Sequence, residues 1–259
     1  MSARKQKVIF FDLMGTCCDW LSSLLPVLQV CPPHISLTPG EPKLRELAVA
    51  WREGFFHEIH TRFDRGEPAE DIDITHRRVL DRLLTEKGID LDTWDDSVRG
   101  KLVHQWHVQT PWPDVAPALH QLRRDGRWFL VVLANGTARL QLDIARSSDL
   151  PFHTLLSSEL LGLTKPDPAI YRKAMELVQL PSEDCIMLAS HLYDLEAAKD
   201  VGMRTIYVHR ATEDVDTDVV DLEGKHNYVD LYFDGRGDHP SDQGSGFVKV
   251  ATHLIEAEL

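Results

Sequence analysis

The stretch that decides the fold is residues 7–16, KVIFFDLMGT, near the start of the 259-residue chain. A short apolar run, KVIFF, is followed at once by Asp12 and then by Gly15 and Thr16. Apolar runs of this length, bounded by polar and turn residues, are typical of a buried β-strand. We therefore predict a strand over residues 7–11, with the carboxylate of Asp12 at its carboxyl end.

Strands and helices alternate in the second half of the chain. Apolar runs predict strands over residues 127–133, 154–156, 184–188 and 204–208. Helical spacing predicts helices over residues 114–124, 138–146, 168–179, 194–201 and 247–257. This alternation indicates right-handed βαβ units and a parallel sheet. The polar segment 213–245, with one apolar patch at 228–233, receives no predicted role.

The part of the chain between these strands is helical only. Its apolar residues recur at intervals of three and four, which predicts amphipathic helices. These helices cover residues 19–29, 41–63, 71–87 and a weaker one from about residue 93. The simplest account is an α/β core of residues 1–19 and 109–259, with a helical cap domain of residues 20–108 inserted after the first strand. Ligands of open parallel sheets bind beyond the carboxyl ends of the strands, where Asp12, Asn135 and residues 190–194 fall.

The amino-acid composition limits the kinds of molecule that the chain is expected to bind. The formal net charge is -13 and the pI is about 5.4, so nucleic acid and anionic membrane surfaces are not expected to bind, because both repel an acidic protein. A small anionic substrate is still compatible with a local cationic pocket. Four cysteines without a CxxC pair predict reduced thiols and a cytoplasmic location. The apolar helical cap is compatible with a homodimer, but the sequence does not decide the oligomeric state.

Four segments resemble, in order, the four motifs of the haloacid dehalogenase superfamily. They are residues 10–16 (FFDLMGT), 133–136 (LANG), 165–168 (KPDP) and 189–194 (ASHLYD). The resemblance covers roughly residues 7–210 by the order and spacing of these segments. It implies a Rossmann-like parallel-sheet core with a helical cap, and covalent catalysis with Asp12 as the nucleophile.

Met14 favours one chemistry of this superfamily over another. The resemblance implies that a phosphatase would carry an acidic residue here, two residues after Asp12, to protonate the leaving alkoxide. Loss of a general acid costs about 10²–10⁴ in rate, whereas a departing halide needs no proton. The chain therefore resembles the 2-haloacid dehalogenase branch, which implies conversion of a small 2-halocarboxylate to a 2-hydroxy acid through an aspartyl ester. We expect no metal and no cofactor, since few hard ligands for Mg²⁺ accompany Asp12.

The same resemblance assigns roles to three further charged residues. Arg52 is similar to the branch's arginine that holds the substrate and the departing halide, and a guanidinium suits a carboxylate. Lys165 would lie beside Asp12 and keep it ionised. Asp194 would position Lys165 or the hydrolytic water.

The expected substrate-binding residues are Thr16, Met14, Asn135, Ala134 and Tyr171. Thr16 would donate a hydrogen bond to Asp12, Asn135 would present a backbone amide near the carboxylate, and Tyr171 is similar to a pocket tyrosine of the branch.

The lining departs from the branch at several positions. The branch commonly has Tyr at the position of Met14, a hydroxyl residue at that of Ala134, Ser at that of Ala189 and Asn at that of His191. His191 is either a general base for ester hydrolysis, which its ordinary pKa suits, or a neutral hydrogen-bonding replacement for the amide.

Three alternatives stay open. The first is a hydrolase recruited to a non-halogenated metabolite, which the altered lining would allow. The second is a Mg²⁺-dependent phosphatase. The third is a non-catalytic binding protein that keeps the fold, for which Asp12→Asn would leave function intact.

Overall fold

The computed structural model describes residues 5–38, 40–68, 70–215, 217, 220–236 and 246–257. The chain divides into two compact units. One consists of Met1–Asp19 with Pro111–Leu259, and the other of Trp20–Thr110. The first unit is α/β and the second is helical. Among the described residues, no helix is both long enough and apolar enough to cross a membrane.

The strands are β1 (Lys7–Phe11), β2 (Cys18–Asp19), β3 (Thr110–Pro111), β4 (Trp128–Ala134), β5 (Thr154–Ser157), β6 (Cys185–Ala189), β7 (Arg204–His209) and β8 (Leu231–Asp234). The helices are α1 (Trp20–Gln29), α2 (Glu41–Asp64), α3 (Ile72–Glu86), α4 (Asp96–Gln105), α5 (Val115–Asp125), α6 (Ala138–Ser148), α7 (Ser158–Leu161), α8 (Pro168–Val178), α9 (Leu192–Asp200) and α10 (Gly246–Glu256). Two short 3₁₀ turns cover Ile35–Leu37 and Ser182–Asp184.

Six strands form one parallel sheet in the order β5-β4-β1-β6-β7-β8. The predicted parallel-sheet core is therefore confirmed. The first strand lies inside the sheet because β4 and β6 flank it. Both of these neighbours come from the second half of the chain. Phe11, its last residue, pairs with Val132 of β4 and with Leu188 of β6. The loops that follow these strands therefore leave from the same edge of the sheet.

Strand β1 is buried on both faces, which explains why its sequence is a continuous apolar run rather than an alternating one. All five of its residues are buried. On one face, Phe10 belongs to a core cluster that includes Tyr171 and Met187. Phe11 lies on the opposite face, where its ring stacks on Phe247 of α10 at a centroid distance of 6.0 Å. Because β1 is packed on both faces, the position of its carboxyl end, and so of Asp12, is fixed.

The apolar patch at residues 228–233 contributes the one strand of the six-stranded sheet that was not predicted from the sequence. Strand β8 pairs in parallel with β7, with Val208 opposite Phe233. It is a four-residue edge strand whose side chains are only partly buried, so its hydrophobic signal is weak. Within the segment 213–245, residues 216, 218–219 and 237–245 lie outside the described part of the chain.

The helical unit is built from α1 to α4. Helix α2 packs against α1 and α3, and α4 packs against the same two helices. Four tryptophans fill the interior of this unit: Trp20, Trp51, Trp94 and Trp106. Large aromatic side chains bury much apolar area for their number, which allows four helices to form a core of their own. That this unit acts as a cap over the site stays a prediction.

Candidate active site

Asp12 lies directly beyond β1 and is buried. Its Oδ1 accepts a hydrogen bond from Nζ of Lys165 at 2.8 Å, and its Oδ2 accepts one from the hydroxyl of Thr16 at 2.7 Å. Its backbone N–H donates to the carbonyl of Leu188 at 3.0 Å. The carboxylate is therefore held at both oxygens and at the backbone, which fixes its direction.

Lys165 bridges two carboxylates. Its buried Nζ donates to Asp12 and also forms an ion pair with Asp194. The second oxygen of Asp194 accepts a hydrogen bond from the hydroxyl of Tyr171 at 2.5 Å. The structure thus brings together four residues that the sequence analysis placed in the site, on segments far apart in the chain.

The charges of this group stabilise one another. Burial alone would raise the pKa of Asp12, but Lys165 and then His191 lower it far below its ordinary range. Burial alone would lower the pKa of Lys165, but Asp12 and Asp194 raise it above its ordinary value. Asp12 is therefore an anion and Lys165 a cation at neutral pH. Burial, and then the charge of Asp194, raise the pKa of Tyr171, so its hydroxyl keeps the proton that it donates.

Asn135 positions the lysine through its side chain. Its Oδ1 accepts from the backbone N–H of Lys165 at 2.8 Å and from the hydroxyl of Thr164 at 3.1 Å. Its Nδ2 donates to the carbonyl of Lys165 at 3.0 Å. The loop that follows β4 thereby holds the loop that carries the lysine. The expected contact of the Asn135 backbone amide with a substrate stays a prediction.

Ala134 and Met14 supply no ionisable group. Ala134 is the buried last residue of β4, and its carbonyl accepts from the side chain of Gln141 at 3.0 Å. Met14 is half-buried and forms an isolated β-bridge with Cys18. The position two residues after Asp12 therefore has no proton to donate.

His191 bridges Asp12 to a residue that the sequence analysis missed. Its Nδ1 lies 3.3 Å from Oδ2 of Asp12, and its Nε2 lies 2.7 Å from Oε2 of Glu213. Both side chains are buried. The hydroxyl of Thr212 donates to the other oxygen of Glu213 at 3.0 Å. Glu213 comes shortly after the carboxyl end of a predicted strand, and that position is the signal that could have identified it.

His191 is charged in this setting. Burial lowers its pKa, but the contacts with Asp12 and Glu213 outweigh burial and raise the pKa to about 10. An imidazolium carries a proton on each ring nitrogen, so its charge is compensated by the carboxylate on either side of it. This arrangement favours a charged bridge over a neutral replacement for an amide.

The loops after β1, β6 and β7 are tied to one another. Gly15 has φ +87°, and a Cβ at this position would lie 2.6 Å from both carboxylate oxygens of Glu213. The hydroxyl of Thr16 accepts from the backbone N–H of Ser190 at 2.9 Å, and its carbonyl accepts from Nε of Arg210 at 3.2 Å. A side chain at position 15 would displace the carboxylate of Glu213, and the positive φ also favours glycine there.

Arg52 lies in the helical unit and is buried, not solvated on the surface of α2. Its Cζ lies 4.3 Å from the ring centroid of Phe56, 5.6 Å from that of Trp20 and 5.9 Å from that of Trp106. Aromatic faces attract a guanidinium. The residue is thus a buried cation in an aromatic environment, a setting that strengthens its attraction for a small anion.

Within the part of the chain that the structure describes, no group of three or more His, Cys, Asp or Glu side chains is arranged to hold a metal ion. The expectation that the chain needs neither metal nor cofactor stays a prediction.

Comparison with known proteins identifies the class. A family model described as haloacid dehalogenase-like hydrolase matches residues 6–202, and the chain belongs to this family of hydrolases. The (S)-2-haloacid dehalogenase of Pseudomonas putida is 24% identical over 223 residues, which are 85% of this chain and 90% of the relative.

Two solved structures of L-2-haloacid dehalogenases are similar to this chain over nearly its whole length. The L-2-haloacid dehalogenase PA0810 is 29% identical with a TM-score of 0.76, and the match covers 96% of this chain and 98% of that one. The defluorinating L-2-haloacid dehalogenase Rha0230 is 25% identical with a TM-score of 0.77, covering 96% and 95%. A shorter match is to the phosphatase MT3486 of Mycobacterium tuberculosis, which is 33% identical over 114 residues, 43% of this chain and 52% of the relative.

Proposed function

We propose that this hydrolase removes halide from a small 2-halocarboxylate and yields a 2-hydroxy acid, with Asp12 as the nucleophile. The observation that carries the proposal is the environment of Asp12. Its carboxylate is buried, ionised and paired with Lys165, while Met14 replaces the proton donor that an alkoxide leaving group would need. Such a site suits a leaving group that departs as a stable anion.

In the first step, a carboxylate oxygen of Asp12 forms a bond to the α-carbon as the carbon–halogen bond breaks. The halide leaves with the bonding electron pair. Lys165 keeps Asp12 deprotonated and fixes its direction, so the nucleophile needs no activating base. In this proposal Arg52 binds the substrate carboxylate and the departing halide, for which a buried guanidinium is suited.

In the second step, water adds to the carbonyl carbon of the Asp12 ester. The bond between this carbon and the alcohol oxygen breaks, the 2-hydroxy acid leaves, and the carboxylate of Asp12 is restored. The positive charge of Lys165 stabilises the negative charge that develops on the carbonyl oxygen. Asp194, held by Tyr171, keeps the lysine in place for both steps.

The relatives support this choice of substrate. Proteins named as 2-haloacid dehalogenases match this chain over most of its length, both in sequence and in structure. The similarity to phosphatases covers less of the chain, 43% for phosphatase MT3486 and 61% for the glyceraldehyde 3-phosphate phosphatase of Methanopyrus kandleri. These matches are the observation in favour of phosphate ester hydrolysis as the second candidate.

The test is halide release. The enzyme is incubated with chloroacetate, bromoacetate, fluoroacetate and racemic 2-chloropropionate, with and without EDTA, and free halide is measured. We expect release that EDTA does not reduce, and none from Asp12→Asn. A single turnover in H₂¹⁸O, followed by mass spectrometry of the peptide that contains Asp12, is expected to place ¹⁸O in that side chain.

Other outcomes would favour the alternatives. Phosphate release from simple esters that stops with EDTA would indicate the phosphatase. No halide from any of the four acids would reject the haloacid substrate, and leave a non-halogenated metabolite or a binding role. A binding role would require that Asp12→Asn leaves function intact.

A further inference from the structure

Asp12 contacts two cationic side chains, Lys165 and His191. Lys165 lies at one carboxylate oxygen, and His191 approaches the other to 3.3 Å. Behind His191, Glu213 accepts from Nε2 at 2.7 Å. The order nucleophile, imidazole, carboxylate is that of a catalytic group oriented by a third residue.

We propose that Glu213 is a positioning residue that acts through His191, fixing the imidazole so that Nδ1 serves as the base for hydrolysis of the Asp12 ester. This inference rests on the proposed function. A base must lie within hydrogen-bond reach of the proton that it removes, and water that attacks the Asp12 carbonyl must approach the region that Nδ1 already contacts. Because Glu213 accepts from Nε2, the neutral imidazole keeps its proton there, and the lone pair of Nδ1 can accept a proton.

Several features hold Glu213 in this role. Its carboxylate is buried over Gly15, where any side chain would displace it. Thr212 donates to its second oxygen at 3.0 Å. The neighbouring Asp214 accepts from the backbone N–H of Leu192 at 2.8 Å, which ties the loop after β7 to the helix that follows His191.

The proton balance of the cycle follows from these contacts. When Asp12 becomes a neutral ester, His191 loses one of its two anionic partners and releases the Nδ1 proton to solvent. In hydrolysis, one proton of the water moves to Nδ1 as its oxygen bonds to the carbonyl carbon. The bond from that carbon to the alkoxide oxygen breaks, and the second water proton ends on the product hydroxyl. Asp12 is then a carboxylate and His191 an imidazolium again.

The groups around the imidazole determine its titration. Asp12 faces it from the end of β1, and Glu213 and Asp214 face it from the loop after β7. The ring of Tyr193, on α9, lies at a centroid distance of 5.6 Å. In the ester state Asp12 carries no charge, so Glu213 becomes the principal anion that raises the pKa of His191.

The test separates the two half-reactions. With an excess of a haloacid that the wild type turns over, Glu213→Gln is expected to release about one halide per active site and then stall. Enzyme with the mass of the ester accumulates, because loss of an oriented base slows hydrolysis by about 10²–10⁴-fold. Glu213→Asp should recover part of the rate. Glu223→Gln, which removes an exposed carboxylate of the same segment, is the matched control and should behave as the wild type.

The pH profile distinguishes a positioning role from a structural one. The hydrolysis rate in a single turnover should rise with pH as His191 loses its proton, and Glu213→Gln should move this rise to lower pH. A further expectation is that Glu213→Gln adds nothing to His191→Asn, since residues that act as a unit are not additive.

One contrary result is a folded Glu213→Gln enzyme that releases halide at the wild-type rate over many turnovers without accumulating the ester. This result would overturn the inference, and the proposed function would stand. If Glu213→Gln does not fold, the same result from Glu213→Asp with an unshifted pH profile would overturn it. No halide from the wild type would reject the proposed function, and this role of Glu213 with it.

Discussion

The carboxylate of Glu213 fills the space in which a side chain at Gly15 would lie. Gly15→Ala should therefore lower both stability and halide release. Gly126→Ala is the matched control, because Gly126 also has a positive φ, of +79°, but has nothing within 4 Å of the added Cβ. Both variants lose about 1–2 kcal/mol to the left-handed backbone. Urea unfolding should show a further loss for Gly15→Ala, and only this variant should accumulate the ester.

Lys165→Met should be strongly destabilising as well as inactive. It leaves Asp12 and Asp194 buried without their shared cation, and breaking a buried ion pair costs about 3–5 kcal/mol. Urea unfolding measures the loss, and Lys173→Met, which removes an exposed lysine paired with Glu176, should change stability by less than about 1 kcal/mol. Adding Asp194→Asn should restore part of the stability of Lys165→Met. Equal stabilities of Lys165→Met and Lys173→Met would contradict the role of Lys165 as the shared cation of Asp12 and Asp194.

Stability should fall as the pH rises from about 6.5 to about 10. His191 has a folded-state pKa raised from 6.5 to about 10, so its contribution is complete below pH 6.5 and is lost as pH approaches 10. One titrating proton gives a slope of about 1.4 kcal/mol per pH unit within that window. His191→Asn should remove this slope in urea unfolding. The pKa of Asp12 is lowered instead, so the stability that its charge contributes is lost only as the pH falls into the acid range.

Arg52→Lys should raise KM for a 2-halocarboxylate although the charge is kept. Lysine has no planar fork for a carboxylate and no flat face for Phe56. Hydrogen bonds to charged groups contribute about 1.5–3 kcal/mol, so we expect kcat/KM to fall by about 10- to 100-fold. Arg65→Lys, on the same unit with a side chain that is 69% exposed, is the control. An unchanged KM in Arg52→Lys would remove Arg52 from the substrate site.

Much of the α/β core could be predicted because its signals are local. The run at residues 8–11 is apolar throughout, since β1 is buried on both faces, and it stops at Asp12. Asp12, Asn135 and Asp194 could be placed at one edge because the carboxyl ends of parallel strands lie together. Their contacts with Lys165 follow from that edge together with the resemblance to a known family.

Other features had a local signal too weak to be recognised in the sequence alone. Strand β8 is short and lies at the sheet edge, so half-buried side chains replace the apolar run of an inner strand. Glu213 is one of many acidic residues in a polar segment, and its partner His191 lies on another loop. The burial of Arg52 depends on three aromatic residues from two helices and the end of a third. Such contacts arise only when distant segments pack.

The central place of β1 in the sheet has a consequence for synthesis. Both of its neighbours, β4 and β6, are translated after the entire helical unit, and Glu213 follows later still. The growing chain therefore carries Asp12 long before Lys165 and His191 exist, and an apolar strand without neighbours is prone to aggregate. A chain released before β6 is made would contain Asp12 and Lys165 but neither Asp194 nor His191, so activity should emerge only after these residues and Glu213 have been made.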